Sequence, residues 1–229
     1  SMENIRETSR LCQKLDVLLL IDAARCAENA YFIKTREKGY SDKSIREIVR
    51  EMFSYADVMT MSSKKDAVVN MGGFLAMKSE ALWKKCKIYC ILNEGFITYG
   101  GMSGRDMEAL AQGLEEGTDF DYLESRIKQV EYLGSRLDEF GIPYQRPAGG
   151  HAIFLDAKKI ISRVPAEEFI AQTLAIELYL EAGIRTVEIG ALLADRDPVT
   201  RQNRFPELEL LRLAIPRRTY TNNHMDVVA

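Results

Sequence analysis

The sequence predicts an α/β protein, and two features carry that prediction. The first is Val17-Leu18-Leu19-Leu20-Ile21, a continuous apolar run without alternation. Strands covered on both faces read this way, and such strands belong to parallel sheets. The second is rhythm: stretches with apolar residues at helical spacing alternate with short apolar runs, as helices and strands do in an α/β layer. A chain of 229 residues is long enough for one large domain or two modest ones with substantial cores. Its 46% apolar and 28% charged residues are those of an ordinary globular protein, which argues against disorder.

A first helix is expected over 2–14, where Ile5 and Leu11 recur at helical spacing with Leu15 just beyond. The Val17 run follows as a strand and Asp22 ends it. After Ala23-Ala24-Arg25, a second helical region is expected over about 42–55, with Ser44 near its start. Apolar runs at 58–61 and 74–77 read as strands flanking Ser62-Ser-Lys-Lys-Asp-Ala-Val-Val-Asn-Met-Gly-Gly73. Then come a helix over about 80–91, a glycine- and aromatic-bearing loop over 94–101 and a helix over about 105–116. Gly117-Thr118-Asp119 is the best boundary, so the expected parts are 1–117 and 118–229. Asp119 or Asp121 caps a long helix to about Phe140, stopped by Gly141 and Pro143. Beyond it an α+β pattern is expected: strand 151–156, helix 166–182, strand 185–189 and strand 210–215. The last residues read as the opening turns of an unfinished helix, and about three candidate strands are few for a parallel sheet. Both ends therefore read as those of a piece of a longer protein, with Ser1 a cloning remnant ahead of Met2.

A formal net charge of -3 with cations scattered among acids gives no general basic field for nucleic acid. No apolar run approaches a membrane span and the N-terminus has no signal-peptide pattern, so the chain reads as cytoplasmic. Cys12, Cys26, Cys86 and Cys90 lack zinc-knuckle spacing, and His151 and His224 lie far from them in sequence. They read as small, buried apolar side chains in a reducing compartment.

Ligands of α/β sheets collect at the carboxyl ends of the strands. Asp22 ends one expected strand and Ser62 to Lys65 follow another, so parallel strands would aim a carboxylate and a lysine at one crevice. Adjacent Lys64 and Lys65 repel, and desolvation adds to this in favouring a neutral, nucleophilic Lys65. Pyridoxal phosphate needs such a lysine to hold its aldehyde and an acid to keep its ring nitrogen protonated. Ser62 can hydrogen-bond a phosphate and Lys64 can add charge to it. Taken alone, the same residues also fit a solvated charge pair in a surface turn and an Asp that caps a loop.

Six segments narrow this choice. They are Asp22-Ala-Ala-Arg-Cys-Ala-Glu-Asn-Ala-Tyr-Phe-Ile, Thr60-Met-Ser-Ser-Lys-Lys-Asp, Asn70-Met-Gly-Gly, Glu94-Gly-Phe-Ile-Thr-Tyr-Gly-Gly, Gly149-Gly-His-Ala and Leu211-Arg-Leu-Ala-Ile-Pro-Arg-Arg. Together they resemble the tryptophanase and tyrosine phenol-lyase family of β-eliminating lyases along essentially the whole chain. The resemblance implies a pyridoxal-phosphate enzyme of fold type I, aspartate aminotransferase-like. This chain would supply the later part of the large domain and most of the small one. It further implies that Lys65 is the cofactor lysine with Lys64 its basic neighbour, and that Asp22 partners the ring nitrogen. Arg25 would lie beside the ring hydroxyl, Ser62 would contact the phosphate and Arg212 would clamp the substrate carboxylate. Asn70 would lend its backbone carbonyl to a monovalent cation, potassium being the one expected.

The resemblance also implies a homotetramer, and it places the cofactor-stacking aromatic, a glycine-bearing phosphate loop and a tyrosine general acid upstream of Ser1, with a closing segment beyond Ala229. This chain by itself is therefore expected to bind the cofactor weakly and not to turn over substrate; a non-catalytic piece that only self-associates is the alternative of another class. Ser63 departs from the Gly or Ala usual before the two lysines. Between leaving groups, Ile189 suits a flat apolar indole and supplies no donor for a phenol hydroxyl, and the resemblance implies the same preference at Phe96, where phenol enzymes tend to carry Met. Tryptophan is thus the expected substrate and tyrosine the alternative.

Overall fold

In the computed structural model, which describes residues 1–229, the chain divides into two units, Ser1–Glu124 and Ser125–Ala229, each with its own three-stranded sheet. The first unit contains α1 (Met2–Lys14), β1 (Leu20–Asp22), α2 (Cys26–Arg36), α3 (Ile45–Ser54), β2 (Val58–Ser62), β3 (Gly73–Met77), α4 (Glu80–Asn93) and α5 (Gly104–Glu116). The chain then enters α6 (Phe120–Glu139), whose later residues belong to the second unit. The α/β class expected from the sequence is therefore present.

The first sheet has the order β1-β2-β3, with β1 parallel and β3 antiparallel to β2. The parallel expectation holds for the first pair and stops there, because a parallel return needs a crossover of about a dozen residues or more. The connection over 63–72 is shorter than that. A second correction concerns the Val17 run. Only Leu20–Asp22 pairs as a strand, and Val17, Leu18 and Leu20 are 53%, 61% and 55% exposed. In this order β1 is an edge strand paired by β2 alone, and its residues read exposed, half-buried, exposed, so it is not covered on both faces within the unit.

Helix α3 starts where Ser44 predicts, with a complete capping box between Ser44 and Glu47. Ser79 and Ser103 cap α4 and α5, and Asp119 accepts from the Tyr122 N–H at 2.8 Å at the start of α6. Leu11 and Leu15 are exposed, so the apolar spacing that marks α1 does not face the core. Helix α2 was not expected: its start carries no local side-chain cap, and its buried residues include Glu28 beside Ala27, Ala30, Tyr31 and Ile33.

The second unit continues with β4 (Ala152–Asp156), α7 (Ala157–Ile160), α8 (Ile170–Ala182), β5 (Val187–Ile189), α9 (Ala191–Ala194), β6 (Leu210–Ala214) and α10 (Asn222–Val228). A single 3-10 turn, Ala166–Glu168, precedes α8, and left-handed Phe169 at φ 52° divides what the sequence reads as one helix. The sheet order is β4-β6-β5 with both pairs antiparallel. Val130, Leu133 and Leu137 of α6 pack against Ile153 and Leu155 of β4 and Leu211 and Leu213 of β6. Alternation along β6 thereby assigns Leu211 and Leu213 to the core face and Arg212 to the opposite one.

Within the first unit, Glu51 of α3 gathers a polar cluster. Arg6 and Lys43 pair with it at 2.8 and 2.6 Å, and the Tyr40 hydroxyl donates to it at 2.8 Å. Burial raises the Glu51 pKa, but hydrogen bonds from Lys43, Arg6 and Tyr40 outweigh it and bring the group from 4.5 down to about 2. A carboxylate depressed by folding contributes stability above its unfolded value, and that contribution disappears as pH falls through the folded value. The melting temperature should therefore fall between about pH 5 and pH 2, and Glu51→Gln should flatten that slope while lowering the melting temperature at pH 7. Thermal melts of both proteins across this range check the sign.

Candidate active site

Because β1 and β2 run parallel in the register Asp22↔Thr60, the Asp22 end and the Ser62 end open toward the same edge of the sheet. Paired residues share a face, as do residues two apart, so Asp22, Thr60 and Ser62 line one face. The Ala23 N–H donates to the Thr60 carbonyl at 2.7 Å and extends the ladder past Asp22. Asp22 Oδ1 accepts from the Ala24 N–H at 2.9 Å, which turns the chain toward α2, while Oδ2 carries no protein hydrogen bond. Arg25 stands at the N-cap of α2, half-buried, with Nε buried and unpartnered.

After Ser62 the chain makes tight turns. The Ser63 N–H donates to Gly72 O at 3.0 Å, the Lys65 N–H to Ser62 O at 3.4 Å and the Val68 N–H to Lys65 O at 3.0 Å. Lys64 is exposed and Lys65 half-buried. Asn70 is exposed in the same connection. The turns thus bring Asp22, Arg25, Ser62, Lys64 and Lys65 to one end of the β1–β2 pair, as the sequence predicts.

The residue that sequence reasoning missed is Asp66. It is 3% exposed, and its Oδ2 accepts from the Ala27 and Glu28 N–H groups at 2.8 and 3.0 Å. These are orphan donors at the N-terminus of α2, so the cap this helix lacks locally arrives from 39 residues away. The Asp66 N–H also donates to Ala24 O at 3.2 Å. Burial pushes the Cys26 thiol up to about 12 and the nearby Asp66 charge pushes the same way, so Cys26 is a neutral thiol and not a nucleophile. Helix α5 closes the other side: a Cβ on Gly113 would stand 1.7 Å from Ala67 O, and one on Gly117 would stand 2.1 Å from Asp66 O. Backbone therefore lies directly on the turn that follows Lys65.

Phe96 lies in the turn after α4, where its carbonyl accepts from the Gly100 N–H at 2.7 Å. Phe96 is 54% exposed, with its ring centroid 6.5 Å from that of Tyr99. In the second unit, Arg212 pairs with both Phe154 and Val187, and Ile189 pairs with Leu210. Arg212 and Ile189 consequently share the sheet face opposite the core. The Arg212 Nε is buried without a partner, and its guanidinium forms no ion pair in this chain.

Two acids fix the Ile189 strand. Buried Glu209 accepts from the Ala171 N–H of α8 at 3.2 Å and the Ala191 N–H of α9 at 2.9 Å. Glu188 accepts from the Leu192 and Leu193 N–H groups, both at 3.1 Å. Like Asp66, both acids cap helices; Glu188 reaches only a few residues, while Glu209 spans 38 and 18 residues to its partners.

The packing around Lys65 yields two stability predictions. Gly113→Ala forces the Ala67 carbonyl to move, and overpacking of this kind costs about 1–3 kcal/mol. The variant should unfold at correspondingly lower denaturant. Ser63 is fully buried and its hydroxyl has no partner, a state that costs about 1–3 kcal/mol. Ser63→Ala should therefore raise the unfolding midpoint, and a midpoint unchanged or lowered would show the hydroxyl to be satisfied.

Comparison with known proteins adds a second kind of observation. A protein-family profile described as "Beta-eliminating lyase" matches residues 1–229. The chain is 68% identical over its full length to a "Probable beta-eliminating lyase" of Trichomonas vaginalis, covering 50% of that protein. It is 52% identical over its full length to a "Tyrosine phenol-lyase" of Symbiobacterium thermophilum, covering 50% of it. It is 54% identical over 228 residues to a "Tryptophanase" of Salinibacter ruber, covering 48% of it. The chain thus spans about half the length of these curated relatives. The whole-chain match and these identities establish that the chain belongs to the β-eliminating lyase family.

Proposed function

We propose that the protein to which this chain belongs is a pyridoxal-phosphate lyase that eliminates the β-substituent of tryptophan, which with one water gives indole, pyruvate and ammonia. The observation that carries this reading is the Asp22 and Lys65 pair, delivered by the ends of two parallel strands to one edge. The residues suit the cofactor. Asp22 Oδ2 is open to a donor such as a protonated ring nitrogen, and Arg25 Nε is a buried donor with no protein acceptor, beside which a ring oxygen would find a partner. When bound, pyridoxal phosphate supplies an electron sink for the bonds at the amino-acid Cα.

Each residue then has a task set by its chemistry. The Lys65 amine would hold the cofactor aldehyde and would serve as the general base for the Cα proton. Asp22 Oδ2 would accept a hydrogen bond from the ring nitrogen. Ser62 donates to the phosphate and the exposed Lys64 adds positive charge to it. Arg212, with no ion-pair partner of its own, binds the substrate carboxylate through two parallel hydrogen bonds, which orients the Cα proton. Asn70 offers its backbone carbonyl to a monovalent cation. Self-association is supported by α4, which buries no residue and exposes Trp83, Tyr89 and Leu92.

Tryptophan is favoured over tyrosine by Ile189, which shares its sheet face with Arg212 and has no donor for a phenol hydroxyl. Leaving such a hydroxyl unpaired in a buried site costs about 1–3 kcal/mol. The identities to tyrosine phenol-lyases and tryptophanase are nearly equal and do not decide the matter. Assays of the full-length protein with pyridoxal phosphate and each amino acid should give faster indole than phenol release, and Lys65→Ala should reduce that rate about a hundredfold or more. Faster phenol release would assign tyrosine instead; release of neither would overturn the lyase reading.

A further inference from the structure

Asp66 stands between the two turns that carry the proposed cofactor contacts. Three hydrogen bonds cross from it to the Asp22–Glu28 segment: its N–H to Ala24 O at 3.2 Å, and the Ala27 and Glu28 N–H groups to its Oδ2 at 2.8 and 3.0 Å. The carbonyls of Asp66 and Ala67 face α5 at positions where Gly113 and Gly117 leave no room for a methyl group. The residue after Lys65 is thus held from both sides, by the N-terminus of α2 and by the backbone of α5. Adjacent Cα atoms are fixed about 3.8 Å apart across a trans peptide, so a shift of Asp66 is passed to Lys65 with little loss.

We propose that Asp66 is a positioning residue for Lys65, fixing the amine's height over the sheet edge relative to Asp22 through its latch on α2. The inference rests on reading Lys65 as the cofactor lysine. A simple helix cap would need only charge and an acceptor near α2, whereas a latch needs one particular length. Glutamate keeps the charge but adds about 1.5 Å, one carbon–carbon bond. With α5 closing the far side, that extra length either pushes the Lys65 turn aside or breaks the bonds to α2. Asparagine keeps the length and an acceptor oxygen while losing the charge. Positioning therefore ranks the variants Asp, then Asn, then Glu and Ala. Electrostatic capping alone ranks them Asp and Glu, then Asn, then Ala.

The test uses the full-length protein with Asp66→Asn, Asp66→Glu and Asp66→Ala. Without cofactor, hydrogen exchange followed by mass spectrometry reads the protection of peptides covering 24–28 and 64–68. With pyridoxal phosphate, borohydride reduction fixes a pyridoxyl group on the lysine, and peptide mapping gives the concentration for half-modification of Lys65. The expected result is near-parental protection in Asn, with half-modification shifted less than about threefold. In Glu, protection should be lost in both peptides and half-modification shifted about tenfold or more, since a displacement near 1 Å can cost about a hundredfold. Glu equal to the parent in both readouts, or Asn as impaired as Glu, overturns the inference even if Ala fails to fold. Failure of the parent to be modified at Lys65 overturns the cofactor reading instead, and the cofactor-free exchange pattern still decides whether the latch exists.

Discussion

One carboxylate organises the first unit. Asp66 supplies the cap that α2 lacks and, through its own N–H, ties the turn after β2 to the turn after β1. Parallel strands on their own deliver Asp22 and Lys65 only to the same edge of a sheet; loops at that edge can still wander by several ångströms. The Asp66 bonds remove that freedom, because charge-assisted bonds to orphan amides contribute about 1.5–3 kcal/mol each and are directional. The same charge also helps to keep Cys26 protonated, so the one thiol near the lysine turn does not compete as a nucleophile.

A related device operates in the second unit. Glu209, immediately before β6, accepts from the starts of α8 and α9, and Glu188 in β5 accepts from α9. Gly190 lies between them, and a Cβ there would stand 2.3 Å from Glu209 Oε2, so a larger residue would displace that carboxylate. Glu209 therefore anchors β6 just ahead of Leu211 and Arg212, and Glu188 and Glu209 together hold α9, which follows Ile189. In both units buried or half-buried acids tie down the segments around the candidate side chains, while Arg25 Nε and Arg212 Nε are buried without a hydrogen-bond partner.

These arrangements explain what was legible in the sequence. Two helix starts are legible from local caps: Ser44 opens α3 and Asp119 opens α6. The start of α2 is not, because its cap is Asp66, 39 residues away, and no local pattern reports it. The exposure of Val17 and Leu18 is not legible, since an apolar run reveals that a strand would suit a covered position but not whether its neighbours in the chain cover it. The antiparallel β3 followed from a loop length rather than from residue type. Lys65, Asp22 and Arg212 stand out in the sequence as candidates through the motif order along the chain, and their roles remain those the resemblance implies. Asp66, Glu188 and Glu209 do not stand out, because an acid in a turn or strand end does not announce which distant amides it meets.

The central claim is that Asp22 and Lys65 form the two ends of one cofactor site, held in register by the latch between their turns. It is tested most directly by a crystal structure of the full-length protein grown with pyridoxal phosphate. The account predicts continuous density from Lys65 Nζ to the cofactor, an Asp22 carboxylate oxygen within hydrogen-bond distance of the ring nitrogen, and Asp66 Oδ2 on the Ala27 and Glu28 amides. A cofactor joined to another lysine, or a ring nitrogen facing any group other than Asp22, would contradict it.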